Sequence, residues 1–133
     1  MDAALRTLVR NRAGNRCEYC GLHQDDEPLY RFHIEHILPR QHGGADDPNN
    51  LALACYHCNV DKGPNLAAID PETGQMVRLC NPRQDRRAEH FSIAGAAIAG
   101  VTPIGRATVR LFKMNAMNRL ELRLELIHRR GHA

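Results

Sequence analysis

Residues 17–20 read Cys-Glu-Tyr-Cys and residues 55–58 read Cys-Tyr-His-Cys, and the two pairs enclose the stretch His-Ile-Glu-His-Ile-Leu-Pro-Arg at 33–40. A CxxC turn presents two thiolates to one point, and zinc prefers four such ligands at the corners of a tetrahedron. The pattern therefore predicts a structural zinc site, and four reduced cysteines without a metal are the alternative. The predicted ligands are Cys17, Cys20, Cys55 and Cys58.

The segment between the two pairs has to fold as an insert. Alternating apolar side chains predict a strand over residues 28–35, and the Gly-Gly and Asp-Pro pairs within 39–49 predict a loop. Residues 51–54 form a second short apolar run, and a brief helix is expected to begin near residue 56. This order of elements predicts a ββα unit in an α+β fold.

Outside this insert the sequence predicts helices and short hairpins. Thr102-Pro103 is a typical helix start, because a capping residue precedes proline at the first helical position. For the last segment, leucine alternation suits a strand, but good helix formers dominate, so we expect a helix. The expected elements are a helix over 2–12, hairpins within 67–79 and 91–101, and helices over 102–113 and 118–130.

Charge is distributed unevenly along the chain. The net charge is +3, but residues 83–133 hold ten Lys and Arg against four Asp and Glu. We therefore expect two parts: a zinc-clamped core at 1–82 and a basic helical extension at 83–133 that packs on the core. A basic segment suits contact with a phosphate backbone, and a solvated helix surface explains the same charge.

Three basic residues of the extension share one helix stripe, at spacings i, i+4 and i+7. These candidate DNA contacts are Arg106, Arg110 and Lys113. No apolar run approaches the ~20 residues that span a bilayer, and the N-terminus lacks an apolar leader. We therefore expect a cytoplasmic protein without membrane contact, where paired cysteines favour metal over disulfides.

Side chains suited to phosphodiester hydrolysis lie in the insert and just after it. Such a reaction needs an activated water and a cation that stabilises charge. Histidine titrates near neutral pH, which makes His36 a candidate general base. Glu35 and Asn59 offer the hard oxygen ligands that suit Mg²⁺ or Mn²⁺. His33 shares a strand face with Glu35, so it is a possible further ligand.

The segments CEYC, HIEHILPRQHGG and NLALACYHCNVDKG, at 17–20, 33–44 and 50–63, together resemble the HNH endonuclease family. This resemblance implies a ββα-metal (His-Me finger) fold and cleavage of DNA through one divalent cation: Mg²⁺, Mn²⁺ or another. The cation would stabilise the leaving 3′-oxygen, and cleavage would give 5′-phosphate and 3′-hydroxyl ends. No small-molecule cofactor is expected.

The resemblance also implies roles for single residues. His36 is the general base, Glu35 is an acidic ligand of the cation, and Asn50 pins the loop that orients the base. Asn59 stands where the family often has its final histidine, a departure that keeps an oxygen ligand. Lys62 matches a lysine that faces phosphate. Residues of 81–109 also resemble the tail of one group of bacterial and phage-associated HNH proteins.

Structural roles are the alternative for the same residues. His36 could be a structural histidine, Glu35 a solvated acid, and Asn59 a residue that bonds the helix start. The first rival function is a non-catalytic zinc-knuckle module that binds nucleic acid. The second is a protein-interaction module, which would show no salt-dependent affinity for DNA.

Overall fold

The structure of the protein, a computed structural model, describes residues 1–130. Within this range the chain forms α-helices and short antiparallel strand pairs, and it divides into two compact units. The first unit comprises Met1–Leu66 and Asn81–Asp85, and the second comprises Ala67–Cys80 and the chain from Arg86 onward. The helices are α1 (Ala3–Arg12), α2 (Tyr56–Lys62), α3 (Arg87–His90), α4 (Pro103–Leu111) and α5 (Met117–Arg129). The strands are β1 (His33–His36), β2 (Leu51–Ala54), β3 (Ala67–Ile69), β4 (Met76–Arg78), β5 (Phe91–Ala94) and β6 (Ala97–Gly100).

The first unit is built on the predicted ββα arrangement, with α1 packed on the strands. β1 and β2 pair antiparallel, with His33 opposite Ala54 and His36 opposite Leu51. All four residues of β2 are buried, which explains its continuous apolar sequence. α2 follows β2 directly and packs against β1. The mixed α/β fold with its clustered cysteines is the predicted one.

β1 is shorter than the strand expected over 28–35. Its partner β2 offers only four residues, so pairing stops at His33. Ahead of that point the side chain of Gln24 satisfies the backbone instead. Gln24 Oε1 accepts a hydrogen bond from Phe32 N at 2.7 Å, and Gln24 Nε2 donates to Tyr30 O at 3.0 Å. Apolar alternation therefore extends beyond the strand.

The second unit contains the two predicted hairpins and both predicted C-terminal helices. β3 pairs with β4 and β5 pairs with β6, while α4 contacts β3 and β4 of the first hairpin and β6 of the second. Thr102 caps α4 through a 3.0 Å hydrogen bond that its Oγ1 accepts from Gly105 N. The last predicted helix is confirmed, because α5 covers Met117–Arg129.

The two compact units divide the chain differently from the boundary expected after residue 82. Residues 67–80 belong to the second unit, because their hairpin packs on α4. The buried carboxylate of Asp70 fixes this packing through a bidentate pair with Arg106, at 2.9 Å for both bonds. Packing of residues 83–133 on residues 1–82 stays a prediction.

Within the described part of the chain, no helix is long and apolar enough to cross a bilayer.

Candidate active site and metal centre

The four predicted zinc ligands lie together in the first unit. All four side chains are buried, and their Sγ atoms lie within 4.8 Å of one another. Cys20 Sγ and Cys55 Sγ are 3.7 Å apart, whereas a disulfide would place them ~2.05 Å apart. A tetrahedron with Zn–S bonds of ~2.3 Å has edges of ~3.8 Å. The donor set and its spacing therefore fit one zinc ion.

Two tight turns position the thiols in the manner of zinc knuckles. Cys17 Sγ accepts a hydrogen bond from Cys20 N at 3.5 Å, and Cys55 Sγ accepts one from Cys58 N at 3.4 Å. Burial raises the pKa of the Cys17 and Cys58 thiols well above the ordinary value. Buried thiolates require a compensating cation, and a bound metal deprotonates a coordinating thiol. Cys80, the fifth cysteine, is buried in the second unit, outside this group.

His36 ends β1, and its imidazole contacts the carboxylate of Asp46, which lies in the loop predicted over 39–49. His36 Nε2 lies 2.7 Å from Asp46 Oδ1. Arg40 Nη2 donates to both oxygens of Asp46, at 2.8 and 3.0 Å. The bonds from His36 and Arg40 lower the pKa of Asp46 to about 2. Asp46 is therefore an anion near neutral pH, and it accepts the Nε2–H of the imidazole.

Asn50 ties both ends of the loop that carries Asp46. Its Oδ1 accepts from Leu38 N at 2.8 Å, and its Nδ2 donates to Leu38 O and to Ala45 O, both at 3.0 Å. Gly44 allows this close approach, because a Cβ at that position would lie 1.7 Å from Leu38 O. These contacts fix the path of the loop, and with it the carboxylate beside His36.

Glu35 points away from His36, into the interior of the first unit, because successive strand residues face opposite sides. It is 6% exposed. The Tyr19 hydroxyl donates to Oε1, and Lys62 Nζ lies 3.2 Å from Oε2. Burial raises the Glu35 pKa, while Lys62 and Tyr19 oppose that rise.

Lys62 joins this buried acid to the backbone of the candidate base. The side chain is 3% exposed, and its ammonium also donates to His36 O at 3.2 Å. The structure thus places Lys62 inside the unit, whereas the resemblance implied a lysine facing phosphate. An ammonium beside the Glu35 carboxylate repels a second cation there. As arranged, Glu35 does not fit a divalent cation.

The other predicted ligands of a divalent cation lie on α2 and at the start of β1. Asn59 is half-buried and precedes Lys62 by one turn of α2, so both side chains project to the same side of the helix. His33 is exposed at the start of β1. Within residues 1–130, only the four cysteines form a group of three or more His, Cys, Asp or Glu residues placed to hold a metal ion.

The three basic residues predicted to contact DNA lie on α4 and just after it. Arg106 is engaged within the second unit, because Asp70 binds it bidentately and Glu72 Oε2 lies 3.1 Å from its Nε. Arg110 and Lys113 are exposed. The predicted stripe thus retains two basic residues that are open to solvent.

Comparison with known proteins gives a family match and two relatives. The HNH endonuclease family matches residues 17–65. The Septu protein PtuB of Bacillus thuringiensis is 28% identical over 122 residues, which cover 87% of this chain and 43% of that protein. The Septu protein PtuB of Bacillus mycoides (strain KBAB4) is 24% identical over 144 residues, which cover 91% of this chain and 49% of that protein.

The chain thus spans less than half the length of either relative, and no solved structure matches it significantly. The family match covers the whole segment from the first zinc knuckle to just beyond α2, which contains Asp46, His36 and Asn50. Residues 17–65 of this chain are therefore an HNH endonuclease domain, in a mixed α/β fold whose four clustered cysteines are placed to form a zinc site.

Proposed function

We propose that this chain is an HNH nuclease that hydrolyses phosphodiester bonds of DNA, with His36 as the general base. The observation that carries the proposal is the 2.7 Å contact between His36 Nε2 and Asp46, within a segment that matches the HNH family. A carboxylate that holds one ring nitrogen defines the tautomer and leaves the other nitrogen with a lone pair.

The proposed reaction starts at His36 Nδ1. Because Asp46 accepts the Nε2–H, the lone pair on Nδ1 takes a proton from water, and the resulting hydroxide attacks phosphorus. The bond from phosphorus to the 3′-oxygen breaks, which leaves a 5′-phosphate on one product. The 3′-oxygen of the other product takes a proton from solvent and becomes a hydroxyl. The imidazolium formed in the first step is stabilised by the adjacent anion of Asp46, as a carboxylate stabilises the histidine of a hydrolase triad.

Asn50 acts through the loop in this proposal. By bonding Leu38 and Ala45 it holds the loop that presents Asp46 to the imidazole. Lys62 acts through the backbone, because it donates to the carbonyl of His36 itself. Both residues position the base without touching the reacting atoms.

The proposal includes one divalent cation, whose charge would stabilise the leaving oxygen. Asn59 offers an amide oxygen on the side of α2 that carries Lys62. Glu35 stays a predicted ligand, but its pairing with Lys62 has to change before it can bind a cation. The zinc ion would hold the two knuckles together and take no part in hydrolysis.

A plasmid-nicking assay tests the proposal. Purified protein with its zinc content measured is incubated with supercoiled plasmid and Mg²⁺, Mn²⁺ or a divalent-ion chelator. We expect metal-dependent nicking or linearisation that falls by about 10²–10⁴-fold in His36→Ala. His128→Ala is the matched control, because His128 is an exposed histidine on α5 in the second unit. Equal cleavage by both variants would contradict the role of His36.

A second candidate function is binding of nucleic acid without cleavage. It is favoured by one observation, the Glu35–Lys62 pair that occupies a predicted cation ligand. A folded, zinc-loaded protein that binds DNA but cleaves neither DNA nor RNA with any of these metals would support it. From the two PtuB relatives we further propose that the chain belongs to a Septu-type protein.

A further inference from the structure

We infer that a groove between α1 and the start of β1 binds the phosphodiester backbone of nucleic acid, an inference that rests on the proposed function. The groove has a volume of about 470 Å³. We call it the arginine groove, after three of the residues that line it. They are Arg6, Arg10 and Arg31, beside Phe32, His33 and Ile34.

The charge of the arginine groove is strongly one-sided. Arg6 and Arg10 stand at i and i+4 of α1, on one face of the helix, and Arg31 lies just before β1. In the described chain no carboxylate lies within ion-pair distance of these three guanidinium groups, and no acidic residue lines the groove. Other acids of the same unit, such as Glu35 and Asp46, have cationic partners of their own.

The three arginines are close enough to repel one another. Burial lowers the pKa of Arg10, and the charges of Arg31 and Arg6 lower it further. Arg10 is also fixed in place, because its Nη2 donates to Phe32 O at 3.0 Å. Like charges held together without counterions cost folding free energy. A polyanion bound in the groove removes that cost, and arginine is well suited to phosphate oxygens.

The position of the arginine groove relative to the candidate base favours a nucleic-acid strand over a small anion. Ile34 lines the groove, and His36 follows it by two residues on the same face of β1. At a rise of ~3.3 Å per residue, the two backbone positions lie ~7 Å apart. A strand held by the arginines therefore leads to the ring of His36. Phosphate contacts of this kind set position and carry no sequence information.

The test measures binding without cleavage, in protein that carries His36→Ala throughout. The probes are a short 5′-fluorescein-labelled DNA duplex, its single strand, and the RNA strand of the same sequence, followed by fluorescence anisotropy between about 50 and 200 mM salt. The variant is Arg6→Gln with Arg31→Gln. The control is Arg86→Gln with Arg129→Gln, which removes the same charge from exposed residues of the second unit.

We expect the groove variant to raise Kd at least tenfold. Its plot of log affinity against log salt should become shallower by about 2, because each lost phosphate contact contributes about 0.9. The control should retain most of the affinity and slope. The probe whose affinity falls most between the His36→Ala parent and the groove variant shows whether the groove binds DNA or RNA.

Several results would overturn the inference that the arginine groove binds nucleic acid. These are equal losses in the two double variants, a loss confined to the control, or no binding of any probe at the lowest salt. Circular dichroism and zinc content establish that each variant is folded, and Arg6→Gln or Arg31→Gln singly replaces a double variant that fails to fold. Because cleavage is not measured, a protein that never cuts nucleic acid can still confirm the groove. Conversely, the wild type can nick plasmid while the groove double variant binds every probe as tightly as its His36→Ala parent. That result would reject the groove and leave the proposed nuclease function intact.

Discussion

The four-cysteine cluster and the His36 site lie in the same unit but are built in opposite ways. The cluster is buried, and all its donors are supplied by two short turns. The His36 site is partly open to solvent and is assembled from a strand end, a loop and one asparagine. A structural metal site can thus be complete within the chain, whereas a reactive site keeps an open side for water and substrate.

Removal of the zinc ligands should have the largest effect of any change in the chain. Zinc binding by small sites of this kind contributes ~10–16 kcal/mol near neutral pH, as much as the whole stability of a typical domain. We expect Cys58→Ser, or a strong zinc chelator, to abolish cooperative thermal unfolding of the first unit. The measurements are far-UV circular dichroism and metal analysis.

Cys80→Ala is the control for this experiment, because Cys80 is buried in the second unit, outside the cysteine group. It should keep one zinc ion per chain. If Cys58→Ser retained the unfolding temperature of the wild type, the cluster would not be a structural metal site.

The buried pair of Glu35 and Lys62 should give the next largest effect. The two side chains are 5% and 3% exposed, so removal of one leaves an uncompensated charge in the interior. Lys62→Met is expected to destabilise the protein by about 3–5 kcal/mol in urea unfolding. The double variant Glu35→Gln with Lys62→Met should recover most of that loss. The losses of unfolding free energy in Glu35→Gln and Lys62→Met can be compared with the loss in the double variant. If the two single losses simply add, the side chains do not interact, and Glu35 is available as a ligand of the cation.

The contact of Asp46 with His36 should have a smaller effect, confined to catalysis. Asp46→Asn keeps an acceptor for Nε2–H but removes the charge that stabilises the imidazolium. We expect kcat to fall by about 10²-fold with KM nearly unchanged. Long-range ¹H–¹⁵N spectra should show the Nε2–H tautomer of His36 in the wild type and a mixture of tautomers in Asp46→Ala.

Asp25→Asn offers a matched control for Asp46, because Asp25 Oδ2 lies 3.7 Å from the ring nitrogen of His23 in an exposed pair. It should change neither kcat nor the His36 signals. An unaltered tautomer signal in Asp46→Ala would rule out positioning by this carboxylate.

Features with local causes could be predicted from the sequence. CxxC turns depend on four consecutive residues, so the zinc knuckles follow directly from cysteine spacing. The capped start of α4 at Thr102-Pro103 is equally local, and helix propensity correctly favoured α5 over a strand. The predicted start of β1 at residue 28 was wrong, because residues just ahead of His33 bond the side chain of Gln24 instead of a second strand.

Features that depend on distant partners could not be predicted. Glu35 is buried because Tyr19 and Lys62, which lie 16 and 27 positions away, surround its carboxylate. Asp46 lies among residues typical of turns, and its place beside His36 depends on the path that Asn50 imposes on the loop. The family resemblance named residue types, whereas the partners of those residues emerged only from the fold.

The helix α2 links the predicted zinc site to the candidate base. The predicted zinc ligand Cys55 caps its start, and it ends at Lys62, whose ammonium donates to the carbonyl of His36. Seven helical residues of ~1.5 Å each thus join the thiols to the base over ~10 Å. An oxidant that removes zinc from the thiols would weaken the hold of Lys62 on this carbonyl, and the proposed hydrolysis would stop although no reagent had reached the imidazole. The redox state and zinc supply of the surroundings would therefore set how much of the protein is competent for the proposed cleavage.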